Sequence, residues 1–143
     1  MSDDAPIELA YDKPLPVPDA HSQPFFDGTV RGELMLQHCA ACGQWMWPVR
    51  VRCIDCLSDD VRWEASAGLG TVYTFTIIHQ VFHPGFASAV PYNVAQVDLD
   101  EGVRFLTHVV AVANDALRIG DRVRVEFERI SDAVALPTCR LLA

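Results

Sequence analysis

The sequence predicts a mainly β chain, in which a short helix and a four-cysteine metal ribbon precede a small closed β-barrel. Three observations support this prediction. Two Cys-x-x-Cys pairs lie close together, at 39–42 and 53–56. The second half of the chain is rich in β-branched and aromatic residues over several strand-length segments. Helix signals are confined to the short stretch around 22–32.

Four prolines lie in the opening 1–21 segment, and this spacing favours an extended, poorly packed arm. Ser22 is the expected N-cap of a short helix, because the proline two positions later is tolerated in a first helical turn. Two adjacent phenylalanines, Phe25 and Phe26, would dock this helix on the body. The glycines at 28 and 32 are expected to keep it short.

The two Cys-x-x-Cys pairs are the strongest chemical signal in the sequence. Each pair is a tight turn that can direct two sulfurs at one centre, and two such turns complete a tetrahedron. The expected metal ligands are Cys39, Cys42, Cys53 and Cys56. Zinc is the preferred metal for such a set, although ligands alone leave iron in a rubredoxin-like site open. Four protein ligands leave no open coordination position, so the metal is expected to be structural.

Two other interpretations of the cysteines are weaker. A redox-active Cys-x-x-Cys is disfavoured because the units come as a pair, and four reduced core thiols would not explain their polar neighbours. A zinc ion with four thiolates carries a net charge of about −2. His38, Arg50 and Arg52 are the candidates for partly offsetting that charge.

The second half of the chain alternates strands with turn-forming segments. Five strands are expected, over residues 71–79, 92–98, 103–112, 122–129 and 136–142. Residues 98–102 form the hairpin turn between the second and third of these. Five strands in so short a span favour an OB-type barrel. The expected organisation is an arm at 1–21, the helix and ribbon at 22–66, and the barrel at 67–143.

Composition limits the classes of partner. Nineteen acidic and eleven basic side chains give a formal charge of −8, which disfavours nucleic acid because it would repel a polyanion. No apolar run reaches the length of about 20 residues that spans a bilayer, so no membrane partner is expected. The acidic start lacks a secretory apolar region, and paired cysteines in a reducing compartment indicate metal binding. A cytoplasmic location is the default expectation.

The loop between the first two barrel strands, residues 80–91, carries exposed-looking histidines and aromatics. His79 and His83 are four residues apart, a spacing that binds metal when both lie on a helix. Pro84 and Gly85 favour a loop here instead, so a metal site is not expected. The segment can contact a partner or ligand, since aromatics are enriched at interfaces, or it can cover the barrel end. The candidate residues are His79, Phe82, His83, Phe86 and Tyr92.

No catalytic residues are predicted. The acidic cluster of Asp98, Asp100 and Glu101 occupies a turn and is assigned to solvent, because exposed carboxylates keep ordinary pKa values. Cys139 lies in an apolar strand and is expected to be a small buried core residue. The sequence also lacks a P-loop and a Gly-x-Ser-x-Gly elbow.

Taken in order, these motifs resemble a known family. Cys-Ala-Ala-Cys-Gly is followed by Trp47-Pro48, the second cysteine pair and Gly-Thr-Val-Tyr-Thr-Phe-Thr at 70–76; Pro91-Tyr92 and Asp-Glu-Gly at 100–102 come next. This order resembles the DUF35 family, over residues 22–142. The resemblance implies an N-terminal helical stretch, a rubredoxin-like zinc ribbon and a C-terminal OB fold.

The resemblance also implies a role in acyl-CoA metabolism. Family members associate with thiolases, with thiolase-like aldolases of steroid side-chain breakdown, or with hot-dog-fold hydratases. The implied role is a non-catalytic accessory or scaffold subunit that stabilises its partner and helps bind the CoA ester. Two alternatives stay open: a single-stranded nucleic-acid-binding ribbon and OB module, and a stand-alone acyl-CoA-binding protein.

Overall fold

A computed structural model of the chain describes residues 12–142, so most of the expected arm at 1–21 lies outside the described residues. Within that range one α-helix, α1, spans Gln23–Arg31. The strands are β1 Met35–Cys39, β2 Trp45–Met46, β3 Val61–Ala65, β4 Leu69–Ile78, β5 Tyr92–Leu99, β6 Arg104–Thr107, β7 Val109–Val110, β8 Arg122–Arg129 and β9 Ala135–Leu141.

The helix begins where expected but continues past its first glycine. Ser22 is the N-cap residue, yet its side chain makes no capping bond and instead bonds the carboxylate of Asp19 (3.0 Å). Gly28 lies inside α1, and only glycine fits there because a Cβ would collide with the side chain of Met35. The helix ends at Gly32, whose φ of 84° is left-handed and suits glycine. The prediction that both glycines limit the helix is therefore wrong for Gly28.

The first three strands form the ribbon. Their sheet has the order β2-β1-β3 and is antiparallel throughout. Cys39 at the end of β1 pairs with Val61 at the start of β3, which places the first cysteine knuckle at one tip of this sheet. The remaining knuckle lies in the connection between β2 and β3.

The other six strands form the OB-type sheet, in the order β6-β5-β4-β8-β9-β7. β4 is ten residues long and has an irregular register between Val72 and Thr74, a feature that increases local twist. It pairs with β5 along almost its whole length but with β8 only through residues 69–71. This uneven pairing lets a strongly twisted sheet curl into a barrel.

The third predicted barrel strand, 103–112, is interrupted. β6 pairs with β5, whereas β7 crosses to β9 and pairs with it in parallel. His108 lies at the break and is exposed. The sheet therefore has six strands where five were predicted, because one continuous segment supplies two different edges.

Three aromatic rings join the helix, the ribbon and the barrel. The ring of Phe25 in α1 lies 4.6 Å from that of Trp47, which follows β2, and 6.4 Å from that of Phe105 in β6. Trp47 and Phe105 are themselves 5.1 Å apart. Phe25 and Phe105 are buried in the main core, so burial of these rings connects three parts of the chain.

Candidate metal centre and partner surface

The four paired cysteines converge on one point. All four sulfurs lie within 4.8 Å of one another. The Sγ atoms of Cys39 and Cys56 are 3.7 Å apart, and those of Cys42 and Cys53 are 3.6 Å apart. A disulfide needs about 2.05 Å, so neither pair is bridged. A tetrahedron with Zn–S bonds of about 2.3 Å has edges of about 3.8 Å, which these sulfurs match.

One side of the cysteine cluster is exposed to solvent. Cys39 and Cys53 are fully buried, whereas Cys42 and Cys56 are exposed. The N–H of Asp55 donates to the Cys53 sulfur at 3.3 Å. Backbone hydrogen bonding, chiefly from Cys56, lowers the pKa of the Cys53 thiol to about 7. A metal ligand must be a thiolate, so these backbone donors favour the ligating form of Cys53. Despite a backbone hydrogen bond to each sulfur, desolvation and the neighbouring sulfurs raise the pKa values of Cys42 and Cys56.

The two knuckles share one backbone pattern but differ in one residue. The N–H of Gly43 donates to the Cys39 carbonyl at 2.8 Å, and the N–H of Leu57 donates to the Cys53 carbonyl at 3.0 Å. Both donors are left-handed, with φ of 82° at Gly43 and 65° at Leu57. A residue other than glycine in this conformation costs about 1–3 kcal/mol. The second knuckle therefore carries backbone strain that the first avoids.

Two of the three side chains proposed to offset the centre's charge, those of His38 and Arg52, bond to other groups, and Arg50 is bonded through its backbone. His38 Nδ1 lies 2.7 Å from the carboxylate of Glu64. Arg52 donates to the carbonyl of Leu57 at 3.1 Å. The backbone N–H of Arg50 donates to the side chain of Gln37. Arg52 therefore stays beside the second knuckle, while the imidazole of His38 is engaged by a carboxylate on the neighbouring strand.

The five candidate residues of the 80–91 loop and its flanks differ in exposure and in the contacts they make. His79 and Phe82 are exposed, with Phe82 at 69%. His83 instead caps a single 3₁₀ turn, because its Nδ1 accepts the Gly85 N–H at 3.0 Å. Phe86 and Tyr92 are half-buried, and their ring centres are 5.4 Å apart. The loop thus partly covers the barrel and partly presents side chains outward.

Phe86 and Tyr92 also line a cavity of about 330 Å³ beside the barrel. His108 contributes to the same wall, and its Nδ1 bonds the backbone oxygen of Asn93 at 2.9 Å. The ammonium of Lys13, at the start of the described chain, lies over the Phe86 ring. The end of the arm therefore packs against this loop, contrary to the expectation of a poorly packed segment.

The acidic turn is ordered by specific partners. Asp98 pairs with Arg104 at 2.7 Å, and Asp100 pairs with Arg122 at 2.8 Å. The bond from Arg122 lowers the pKa of Asp100. Glu101 differs, because one of its carboxylate oxygens accepts the N–H of Ala67 (2.8 Å) and ties the turn to the ribbon–barrel connection. Its assignment to solvent alone is therefore wrong.

Sequence reasoning missed one surface. Val51, Ile54 and Leu57 of the second knuckle are 69%, 59% and 68% exposed, which is unusual for three large apolar residues in one short loop. The available signal was a leucine after the second Cys-x-x-Cys, at the position where the first pair is followed by Gly43. Cys139 is fully buried as expected.

A four-cysteine ribbon joined to an OB-type barrel defines a class of two-module proteins. Family models agree with this division. The ChsH2 rubredoxin-like zinc ribbon domain matches residues 26–62, and the ChsH2 C-terminal OB-fold domain matches residues 63–128. The chain therefore contains a zinc-ribbon domain with a metal-binding cysteine cluster.

The chain belongs to the DUF35 family. It is 30% identical over 95 residues to a DUF35 domain-containing scaffold protein of Methanothermobacter thermautotrophicus, covering 66% of this chain and 71% of that protein. The predicted family and fold class are both confirmed, apart from the extra strand. Within residues 12–142, α1 has only nine residues, and no helical segment there has the length and hydropathy of a membrane span.

Two longer proteins match much of the chain. A probable enoyl-CoA hydratase alpha subunit of Thermomonospora curvata is 33% identical over 128 residues, which is 90% of this chain. A 3-oxo-4,17-pregnadiene-20-carboxyl-CoA hydratase alpha subunit of Mycobacterium tuberculosis is 32% identical over 118 residues, or 77% of this chain. The matches take in only 40% and 37% of those two proteins, respectively.

A solved structure is also similar. A chain of the Ltp2-ChsH2(DUF35) aldolase superimposes with a TM-score of 0.80 at 32% identity, covering 89% of this chain and 98% of that one. The likeness therefore extends through both modules.

Proposed function

We propose that this chain is a non-catalytic accessory subunit of an acyl-CoA-processing enzyme, with a thiolase-like aldolase as the partner. The observation that carries the proposal is the likeness to nearly all of a chain from the Ltp2-ChsH2(DUF35) aldolase. Matches to hydratase alpha subunits and to a scaffold protein support the same assignment. A hydratase-like partner is the second form of this proposal.

The metal in this proposal is zinc, held by the four clustered cysteines. Sulfur–sulfur distances of 3.6 and 3.7 Å suit a tetrahedral ion. Zinc would act only structurally, because all four ligands come from the protein. The resulting ribbon would hold Trp47 against Phe25 and so fix the position of α1 on the barrel.

The 80–91 loop is the proposed contact region for the partner or its substrate. Phe82 is exposed. Phe86 and Tyr92, which follow it closely in the chain, line the cavity described above. An aromatic anchor beside an apolar cavity suits an interface that also accommodates part of an acyl-CoA ester. The partner would supply most of the basic contacts to CoA phosphates, because this chain carries a charge of −8. A CoA ester of a steroid side-chain acid is the narrowest form of the substrate proposal.

Co-expression with a thiolase-like aldolase subunit from the same organism tests the assignment. The two purified proteins should elute together, and the partner should lose solubility or activity when expressed alone. Calorimetry with CoA esters on the isolated chain tests the alternative of a stand-alone acyl-CoA-binding protein. Tight binding without a partner would support that alternative. Separate elution of the two proteins, with a fully active and stable partner, would refute the proposal.

A further inference from the structure

The knuckle turn accounts for the left-handed backbone at position 57, but it does not explain why an exposed leucine occupies that position. Leu57 is held in a left-handed conformation with φ of 65°, where Gly43 occupies the matching position of the first knuckle. Its side chain is 68% exposed, so little packing within the chain compensates for the backbone strain. A strained residue persists where another requirement holds it, and such positions concentrate at functional sites.

The surroundings of Leu57 give the same indication. Val51 and Ile54 belong to the same seven-residue loop and are 69% and 59% exposed. The loop also carries the exposed thiol of Cys56. We refer to Val51, Ile54 and Leu57 as the knuckle patch. Exposed apolar side chains that cluster inside a polar rim commonly mark interaction sites.

The charge around the knuckle patch limits what can cover it. Asp55 and Asp59 are exposed beside it, while Asp60 is paired with Arg62 at 2.9 Å. Four thiolates around a divalent metal add further negative charge. The exposed Arg50, which precedes Val51, and Arg52, whose guanidinium donates to the Leu57 carbonyl, offset the charges of Asp55 and Asp59, so the remaining negative charge beside the patch is that of the thiolate centre. A second copy of this acidic chain would therefore be repelled, and a pocket with a basic rim would be favoured.

We infer that the knuckle patch is a docking surface that inserts into an apolar, basic-rimmed pocket of the enzyme subunit proposed above, on which this inference rests. Leu57 is the central anchor and Val51 and Ile54 flank it. Docking also covers the exposed sulfurs of Cys42 and Cys56, so the complex protects the metal centre. Glycine at position 57 would relax the backbone but would remove the anchor.

The test uses the full-length, zinc-loaded chain and a purified thiolase-like aldolase subunit from the same organism. Leu57→Gly should bind that subunit about 10- to 100-fold more weakly, as expected for loss of one buried leucine side chain. The same variant should unfold at an equal or higher denaturant concentration than the wild type. Val51→Ala combined with Ile54→Ala should also weaken binding. Ile119→Ala, at another residue that is 67% exposed, is the matched control and should bind normally.

Zinc release provides a second measurement that does not depend on activity. A colorimetric chelator should extract zinc more slowly from the wild-type complex than from the free chain, because docking shields Cys42 and Cys56. With Leu57→Gly at the same subunit concentration, that protection should be lost. Equal extraction rates for the free and complexed wild type would contradict the inference.

The outcomes separate this inference from the proposed function. If the wild type binds the subunit and Leu57→Gly binds equally well, the docking surface is wrong and the subunit assignment survives. If the wild type does not bind at all, both are wrong. If light scattering shows that the wild type is a dimer and that Leu57→Gly is a monomer, the patch joins two copies of this chain and the inference is overturned.

Discussion

The side chain of Asn93 takes the place of a neighbouring strand for Val109. Its amide nitrogen donates to the Val109 carbonyl, and its amide oxygen accepts the Val109 N–H, each at 2.8 Å. Asn93 is 1% exposed, so both bonds are shielded from water. This arrangement satisfies the Val109 backbone on one side and leaves β7 free to pair with β9 on the other. It also holds β5 next to the cavity lined by Tyr92 and His108.

Replacing Asn93 with leucine should destabilise the barrel strongly. The substitution would leave the N–H and carbonyl of Val109 without these partners, at a cost of about 1–3 kcal/mol for each buried group. Urea unfolding followed by circular dichroism measures the change. Asn114→Ala is the control, since Asn114 is half-buried and its side chain donates to the Pro91 carbonyl near the surface, so the loss of stability should be smaller. Equal effects of the two variants would show that the Asn93 bonds are not the source of stability.

Replacing Cys42 with serine should abolish stable metal binding. The metal content should fall from about one equivalent per chain, because a structural tetrahedral site needs four ligands. Metal analysis after anaerobic purification measures the loss, and amide exchange should show the ribbon opening. Cys139→Ser is the control, because its thiol belongs to the barrel core and not to the cluster. Retention of a full equivalent of metal by Cys42→Ser would argue against the four-thiolate centre.

Truncating Phe25 to alanine should cost about 3–5 kcal/mol of unfolding free energy. Phe25 is 4% exposed and its ring contacts those of Trp47 and Phe105, so the variant would loosen the helix, ribbon and barrel together. The matched control is Phe82→Ala, at a ring that is 69% exposed, which should change stability by less than about 0.5 kcal/mol. Denaturant titration of both variants measures the two losses of stability. Similar unfolding midpoints would contradict the role given to Phe25.

The thiol of Cys139 should not react in the native protein at pH 8. Burial raises its pKa to about 12, so the thiol remains protonated at that pH, and only thiolates are alkylated quickly. Iodoacetamide treatment followed by peptide mass mapping should find Cys139 unmodified, and modified after unfolding in denaturant. Reaction should rise only as the pH approaches 12. Fast labelling of the folded chain at pH 8 would show that this strand opens readily.

The sequence predicted the local features well. The cysteine spacing identified the cluster, because two tight turns can present only a limited set of sulfur positions. Apolar and charged residues alternate in the sequence of β8, and Val123 and Val125 on its apolar face are in the core. The left-handed position of Leu57 was harder to see, because the strained φ depends on how the knuckle closes around the sulfurs.

Sequence alone determined the modules of this protein, their order and the cysteines that converge, since these follow from residue type and short-range spacing. Tertiary structure decided which edge each strand pairs with and what each surface exposes. The break at His108 depends on Asn93, fifteen positions earlier in the chain. The exposure of Leu57 likewise depends on how the ribbon packs. Such long-range contacts leave no periodic pattern in the sequence, because they are set by the balance of burial and hydrogen bonding over the whole fold.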